Sequence, residues 1–275
     1  MYRDGAKLVI HPKIYGFLVR KLFDGAFTGL RCGDGIVVAR GFAVPVQELL
    51  FSSCVDDAIR LGWVYDTGCG CWVRDGVRFE HVKCYMLEVF NYGDYRYIDV
   101  RSRVVIDVGA GFGETAVYFI LNGAKHVVAV EPCSDQFREL LENLKLNNVV
   151  NRVAPINAIL ASKHSKIGVE YPSGKIFVDT VTLGDIAKAV DVDGAVLKMN
   201  CEGCEYDIIL NDYEHVKIFD EVYLEYHAYT TRKPVDVLPK KLSKDYKCEI
   251  VSNGEFYKRH GYSRKLLGLV KCVKV

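Results

Sequence analysis

The amino-acid sequence predicts an α/β fold: a mostly parallel, seven-stranded sheet with C-terminal antiparallel strands, preceded by an N-terminal α+β extension. Three observations predict it. From residue 103 onward, short runs rich in Val and Ile alternate with helical stretches, the rhythm of a parallel sheet covered on both faces. The first run leads into Asp107-Val-Gly-Ala-Gly-Phe-Gly113, with glycines at alternate positions where a strand turns into a helix. The chain closes with two apolar runs, Cys248–Val251 and Leu266–Val275, which read as an antiparallel pair at the sheet edge.

Residues 1–100 are expected to form the extension and 101–275 the main domain. In the extension, apolar clusters at Leu8–Ile10, Tyr15–Leu18, Ile36–Ala39 and Phe42–Leu50 are punctuated by Gly at 25, 29, 33, 35 and 41. They read as short strands and turns with one helix, about Pro45–Leu61, because proline suits a first turn and Leu49, Leu50, Val55 and Ile59 recur at near-helical spacing. Gly68-Cys-Gly-Cys-Trp72 reads as a tight turn, and Asp75-Gly76 as the turn of a hairpin between Trp72 and Phe79. In the main domain the strands read Val104–Val108, His126–Val130, Val153–Ile159, Ala195–Met199 and Glu221–His227. Helices are expected at about 113–123, 134–147, 182–190 and 203–212, with Ser134 as an N-cap and Thr182 with Asp185 as a capping pair. A short further helix starts near Pro234.

Composition narrows the class. Half of the 275 residues are hydrophobic, a quarter are charged, and no run reaches the roughly 18 uninterrupted apolar residues of a spanning helix. A cytoplasmic protein is expected. Ten cysteines in a chain of this size read mostly as buried thiols. Only two glutamines, Gln47 and Gln136, accompany abundant Val, Ile, Lys and Arg, a thermophile's bias, and intracellular disulfides occur in hyperthermophiles. The net charge of +1 conceals an acidic body, with 12 basic and 19 acidic side chains over 101–231, and a basic tail, with 12 and 4 over 232–275. Such a tail either attracts an anionic partner such as nucleic acid or is a solvated edge that balances the body.

The glycine turn lies where parallel sheets bind ligands, at a strand's carboxyl end. Its third glycine comes one residue early for a dinucleotide fingerprint, and Asp107 would repel a pyrophosphate. S-adenosylmethionine, which has no phosphate and carries sulfonium and ammonium charges, suits an acidic residue there. Glu131-Pro132 ends the second strand eighteen residues after Gly113, near the distance at which a carboxylate meets ribose hydroxyls. Asn157, with Ala158 beside it, ends the third strand where an amide can bond an adenine edge. The expected cofactor-binding set is Asp107, Gly109, Ala110, Gly111, Gly113, Glu131, Pro132, Asn157, Ala158 and Asn200.

The fourth strand reads Leu197-Lys-Met-Asn200-Cys-Glu202-Gly203-Cys-Glu205, and the fifth Val222-Tyr-Leu-Glu225-Tyr-His227. Over roughly residues 75–230 this resembles the FkbM family of methyltransferases, whose fourth strand runs Lys-Ile-Asp-Val-Glu-Gly-x-Glu and whose fifth ends near Glu-x-His. The resemblance implies a Rossmann-like class I methyltransferase fold, S-adenosylmethionine as methyl donor, and a hydroxyl acceptor on a sugar, lipid or small metabolite. Asn200 stands where the family carries a carboxylate, so it can hydrogen-bond but cannot take a proton. A hydroxyl acceptor calls for a base. The candidate catalytic residues are His227, whose pKa lies near neutrality, then Glu225 and Glu202. Glu205 reads as a helix N-terminal charge.

No metal is expected, because Cys69-x-Cys71 with Cys84 and Cys201-x-x-Cys204 form no paired zinc set and lack a histidine cluster. Two other functions stay open. An RNA methyltransferase would use the basic tail and Glu142-Asn-Leu-Lys-Leu-Asn-Asn148, while Asn200-Cys-Glu differs from the Asn-Pro-Pro or Asp-Pro-Pro of amine-methylating nucleic-acid enzymes. A non-catalytic binding module with the same fold would account for Asn200.

Overall fold

The computed structural model describes residues 2–4, 7–9, 27–31, 36–39, 42–45, 48, 52–171, 174–252 and 267–275. The chain forms two compact units, Met1–Leu87 and Glu88–Val275. Their boundary falls thirteen residues before the one expected at 100/101, because the segment after Glu88 is packed into the second unit. Its Tyr95 ring meets Phe119 and Tyr223 at centroid distances of 5.9 and 5.7 Å.

In the first unit, β1 (Tyr2–Asp4) and β2 (Lys7–Val9) pair antiparallel. So do β3 (Phe27–Arg31), β4 (Ile36–Ala39) and β5 (Phe42–Pro45) in turn. The start of the helix expected at about Pro45–Leu61 is corrected, while Glu48 within that span is helical. Pro45 closes a strand, and the helix α1 runs Val55–Arg60. Leu49, Leu50, Tyr15–Leu18 and the glycines at 25, 33, 35 and 41 lie outside the described residues. A second three-stranded sheet joins β6 (Val64–Asp66), β7 (Cys71–Arg74) and β8 (Val77–Phe79), followed by α2 (Cys84–Leu87). Asp75 and Gly76 both take positive φ, 49° and 84°, as a two-residue hairpin turn requires. Glu48 holds this unit from inside, accepting from Trp72 Nε1 at 2.8 Å and pairing with His81 Nδ1 at 2.8 Å.

The second unit opens with a π-turn at Glu88–Tyr92 and carries the seven-stranded sheet. Its strands are β9 (Val104–Val108), β10 (His126–Val130), β11 (Val153–Ile156), β15 (Val196–Met199), β16 (Glu221–His227), β17 (Tyr246–Ser252) and β18 (Leu267–Lys274). The order across the sheet is β11-β10-β9-β15-β16-β18-β17. Only β18, placed between β16 and β17, runs against the other strands, and β17 with β18 forms the antiparallel pair that the C-terminal apolar runs predict. Chain order reverses between β9 and β15, so ligands are expected beyond the carboxyl ends of these two strands.

Helices α3 (Glu114–Leu121), α4 (Ser134–Leu146), α5 (Leu183–Ala189), α6 (Cys204–Asn211), α7 (Tyr213–Val216), α8 (Ala228–Thr231) and α9 (Val237–Leu242) cover the strands. Thr182 and Asp185 make the expected reciprocal cap. Ser134 does not act as a cap, since the chain enters α4 through Cys133. One sheet face buries Ile106, Val108, Leu197, Met199, Val222 and Leu224 against Ile186, Ile208 and Leu242. By strand alternation the other face carries Asp107, Lys198, Tyr223, Glu225 and His227. Sequence reading leaves residues 160–181 unassigned. They hold β12 (Ile159–Leu160), β13 (Lys166–Tyr171) and β14 (Gly174–Val181), a separate small sheet.

The expectation of buried thiols is corrected. Of the nine described cysteines, eight form the bridges Cys54–Cys84, Cys69–Cys71, Cys201–Cys204 and Cys248–Cys272, and Cys133 is free. Cys248 and Cys272 are direct cross-strand neighbours of β17 and β18, a relation that spacing along the chain does not reveal. Among the described residues no helix is long and apolar enough to cross a membrane.

Candidate cofactor and active site

The site begins where β9 ends. All five β9 residues are buried, including Asp107 at 0% exposure, and a carboxylate there needs a partner. Lys198, directly opposite in β15, supplies it. Its Nζ lies 2.7 Å from Asp107 Oδ1 and donates to Gly109 O at 2.9 Å, while Thr115 Oγ1 donates to Oδ2 at 2.6 Å. Asp107 therefore has internal partners on both oxygens and acts as the anchor beneath the turn. A lysine flanked by Leu197 and Met199 in a parallel strand is a buried-charge signal that sequence reading passed over.

The turn itself is pinned on both sides. Gly109 and Ala110 N–H groups donate to Val130 O at 3.0 and 3.1 Å, and Asn200 N–H donates to Val108 O at 2.9 Å. Gly109 has φ +72°, and a Cβ on it would fall 1.7 Å from Asn200 O. No other residue fits there. Gly113, at φ +85°, starts α3, and a Cβ there would lie 3.1 Å from Leu140 Cγ.

Glu131 and Asn157 converge on this turn from β10 and β11. Glu131, 4% exposed, accepts from Gly111 N–H at 2.9 Å and from Cys133 N–H at 2.8 Å. Burial raises its carboxyl above the ordinary value against those two bonds. Asn157 Nδ2 donates to Glu131 O at 2.8 Å and Pro132 O at 3.2 Å, and Ala158 is buried beside it. Ala110 is fully buried under the turn. The donor and acceptor set fits an adenosyl ligand: a side-chain-free turn, a carboxylate just after β10 and an amide just after β11. No phosphate-binding cation is part of it.

Beyond β15, Asn200 Nδ2 donates to Tyr95 OH at 3.3 Å, so an amide replaces the family's carboxylate beside a buried phenol. Glu202 has φ +55° and an exposed side chain that accepts from Tyr229 OH at 2.7 Å. His227 ends β16 and is 2% exposed. Its Nδ1 lies 3.0 Å from Glu205 Oε1, which also accepts from the His227 N–H at 3.0 Å. Its Nε2 faces Glu202 at 3.6 Å and Glu225 at 4.0 Å. Burial alone would lower the imidazole. The hydrogen bond that His227 donates to Glu205 and the charges of Glu225, Glu205 and Glu202 outweigh it and hold His227 above its ordinary value.

Glu205, read from sequence as a helix-dipole charge, is fully buried as the partner that orients His227. Its other oxygen accepts from Gly203 N–H at 3.0 Å. The cysteine pairs considered as metal ligands are bonded to each other. Cys201, Cys204 and Glu205 do come together, with both sulfurs in the bridge.

Sheet order and the turn–carboxylate–amide set together define the class I methyltransferase type. The sequence profile of the Methyltransferase FkbM domain matches residues 107–246, and the chain belongs to that family. Among solved structures it is similar to the methyltransferase FkbM from Methylobacillus flagellatus KT, at 18% identity and TM-score 0.48, covering 69% of this chain and 48% of that one. It is also similar to M. capricolum TrmK in complex with S-adenosyl-homocysteine, at 11% identity and TM-score 0.42, covering 70% and 69%. The ribosomal protein L11 methyltransferase of Geobacter sp. (strain M21) is 43% identical over 51 residues, 18% of this chain and 17% of that protein. The chain thus spans about half the length of the FkbM structure and a small part of the L11 enzyme.

Proposed function

We propose that the protein transfers a methyl group from S-adenosylmethionine to a hydroxyl of a small-molecule, glycan or lipid acceptor. The observation that carries this reading is the buried Glu205–His227 pair at the end of β16: the carboxylate orients the imidazole through Nδ1 and leaves Nε2 on the side of Glu202 and Glu225. Bound at the turn, the cofactor supplies a methyl carbon already activated by a positive sulfur. Gly109, Ala110, Gly111 and Gly113 would offer it backbone free of side chains, Glu131 would accept from its ribose hydroxyls, and Asn157 and Ala158 would hold its base.

His227 Nε2 would take the acceptor's hydroxyl proton as the acceptor oxygen receives the methyl group, and with the carbon–sulfur electron pair retained by the donor, charge and atoms would balance. Glu205 is the positioning residue, holding the imidazole so that Nδ1 carries the other proton. Glu225 and Glu202 stabilise the imidazolium formed.

Labelled-methyl transfer into separated small-molecule, glycan, lipid and RNA fractions tests the acceptor class. With the acceptor in hand, His227→Gln is expected to lower turnover about 100- to 10,000-fold, with adenosylhomocysteine affinity unchanged by calorimetry. Full activity would remove His227 as the base. Because the base must be neutral and His227 is held above 6.5, activity should fall as pH drops through a value above 6.5. Glu205→Gln removes the hydrogen-bonded charge, so its acid limb should move to lower pH. An unmoved limb would sever Glu205 from the mechanism.

The RNA reading draws on the basic tail, but four of its eight described cations have partners within the chain. Lys240 pairs with Asp236, Lys241 covers the Tyr213 ring, Lys271 pairs with Glu221, and Lys274 donates to Lys217 O. These contacts favour the solvated-edge reading of the tail.

A further inference from the structure

The four bridges differ in what they join. Cys54–Cys84 and Cys248–Cys272 tie segments 30 and 24 residues apart, and Cys69–Cys71 lies at the start of β7 in the first unit. Cys201–Cys204 closes only the short loop from β15 to α6, and so short a loop removes less freedom from an unfolded chain than the two long ones do. The family's fourth-strand pattern has Val and a variable residue at these two positions, so the pair is an addition to the shared motif. Both cysteines are half-buried, within reach of a small reagent.

The loop touches the proposed site on two sides. A Cβ on Gly109 would lie 1.7 Å from Asn200 O and 3.3 Å from Cys201 Cα, so the backbone entering the bridge is pressed against the glycine turn. On the other side, Cys201 Sγ lies 3.3 Å from Glu205 Oε2, which accepts from Gly203 N–H at 3.0 Å, while Oε1 holds His227 Nδ1. The two residues enclosed by the bridge, Glu202 and Gly203, take φ +55° and +123°, torsions that a residue with a side chain such as Glu202 adopts at a cost. The bridge helps to hold them there. A bridged sulfur has no proton to give Glu205, whereas a thiol has one.

We propose that Cys201–Cys204 is a redox site that exchanges with an external dithiol, and that its state sets how tightly the glycine turn holds the cofactor and how firmly Glu205 holds His227. The first consequence rests on the cofactor reading given above; the second rests on the position of His227 alone. In the exchange, a thiolate of the reductant bonds to Cys201 Sγ, the bond between the two cysteines breaks, and Cys204 leaves as a thiolate. Cys204 is the first residue of α6, where the helix N–H groups favour a thiolate. The second thiol of the reductant then displaces Cys201 and closes the reductant's own disulfide. Two electrons pass to the bridge, and the two protons that the dithiol gives up end on Cys201 and Cys204. In the reduced state the Cys201 S–H donates to Glu205 Oε2 and draws charge from the oxygen beside His227. Glu202 and Gly203 are then free to leave their left-handed torsions, which loosens the loop against Gly109.

Calorimetry with adenosylhomocysteine, on bridged protein and on protein held in dithiothreitol, tests the first consequence. Reduction should weaken binding about tenfold, within the usual range of coupling between sites. Coupling is reciprocal, so saturating adenosylhomocysteine should lower the midpoint potential of this bridge by the same factor, about 30 mV for a two-electron couple. Alkylation of the two cysteines across a series of reduced-to-oxidised dithiothreitol ratios reads that midpoint in the wild-type protein. Cys201→Val/Cys204→Ala keeps the other bridges and should bind adenosylhomocysteine equally with and without reductant, with thermal melts as the check on its folding.

The His227 imidazole signal, assigned by its loss in His227→Gln, tests the second. His227 is faced by Glu205 from α6, Glu202 from the loop, Glu225 from its own strand and the Tyr229 ring from α8. Reduction weakens the hold of Glu205, so the imidazole should titrate at lower pH in the reduced protein than in the bridged one. Equal affinity in bridged and reduced wild type, or a loss that persists in the double variant, would overturn the proposal. Bridged protein that binds no adenosylhomocysteine would instead sink the cofactor reading, and the imidazole would then decide the redox site: a titration unmoved by reduction would overturn it.

Discussion

Lys198→Met is expected to destabilise the second unit by about 3 to 5 kcal/mol, the range for removing one partner of a buried ion pair. Lys198 Nζ is the partner of Asp107 at 2.7 Å, and the two side chains are 1% and 0% exposed. Without the ammonium, Asp107 is left as a charge in the core between β9 and β15, and Gly109 O loses its donor. The carboxyl then has to take up a proton, so the variant's deficit should shrink as pH falls towards the acid range. Removing both charges in Lys198→Met/Asp107→Leu should recover part of the loss, because the desolvation cost disappears together with the attraction. Urea unfolding measures all three proteins. A single-variant loss below about 1 kcal/mol would show that the pair is solvated, contrary to its burial.

Gly109→Ala should be as damaging, for steric reasons. The new methyl would sit 1.7 Å from Asn200 O, where real contacts stay beyond 3.0 Å, so the ends of β9 and β15 must move over an ångström apart. That breaks the Asn200 N–H bond to Val108 O and the turn's bonds to Val130 O. We expect a loss of at least about 4 kcal/mol and no measurable adenosylhomocysteine binding. Gly76→Ala is the control. It has φ +84° and nothing within 4 Å of the new methyl, so only backbone strain of about 1 to 2 kcal/mol remains. Equal effects at both positions would mean that torsion, and not the approach of Asn200, demands glycine at 109.

Much of the site was legible along the chain because its parts are local. Asp107 to Gly113 is one strand end and its turn, Glu131 closes the next strand, and Thr182 with Asp185 caps one helix. The turn residues Asp75-Gly76 likewise declare themselves through the positive φ they tolerate. Reading failed where one residue type serves two structures. Pro45 suits a helix start or a strand end, and the partner strand decided for the strand.

The linear sequence by itself determined the α/β class, the seven strands, the glycine turn and the candidate base, since periodicity and turn chemistry are properties of neighbouring residues. Only the tertiary structure decided that Asp107 is spent on Lys198, that Glu205 orients His227 and that eight cysteines are bridged. Those are pairings across 91, 22 and up to 30 residues, and each forms because a buried charge or sulfur must find its partner among groups that folding brings close.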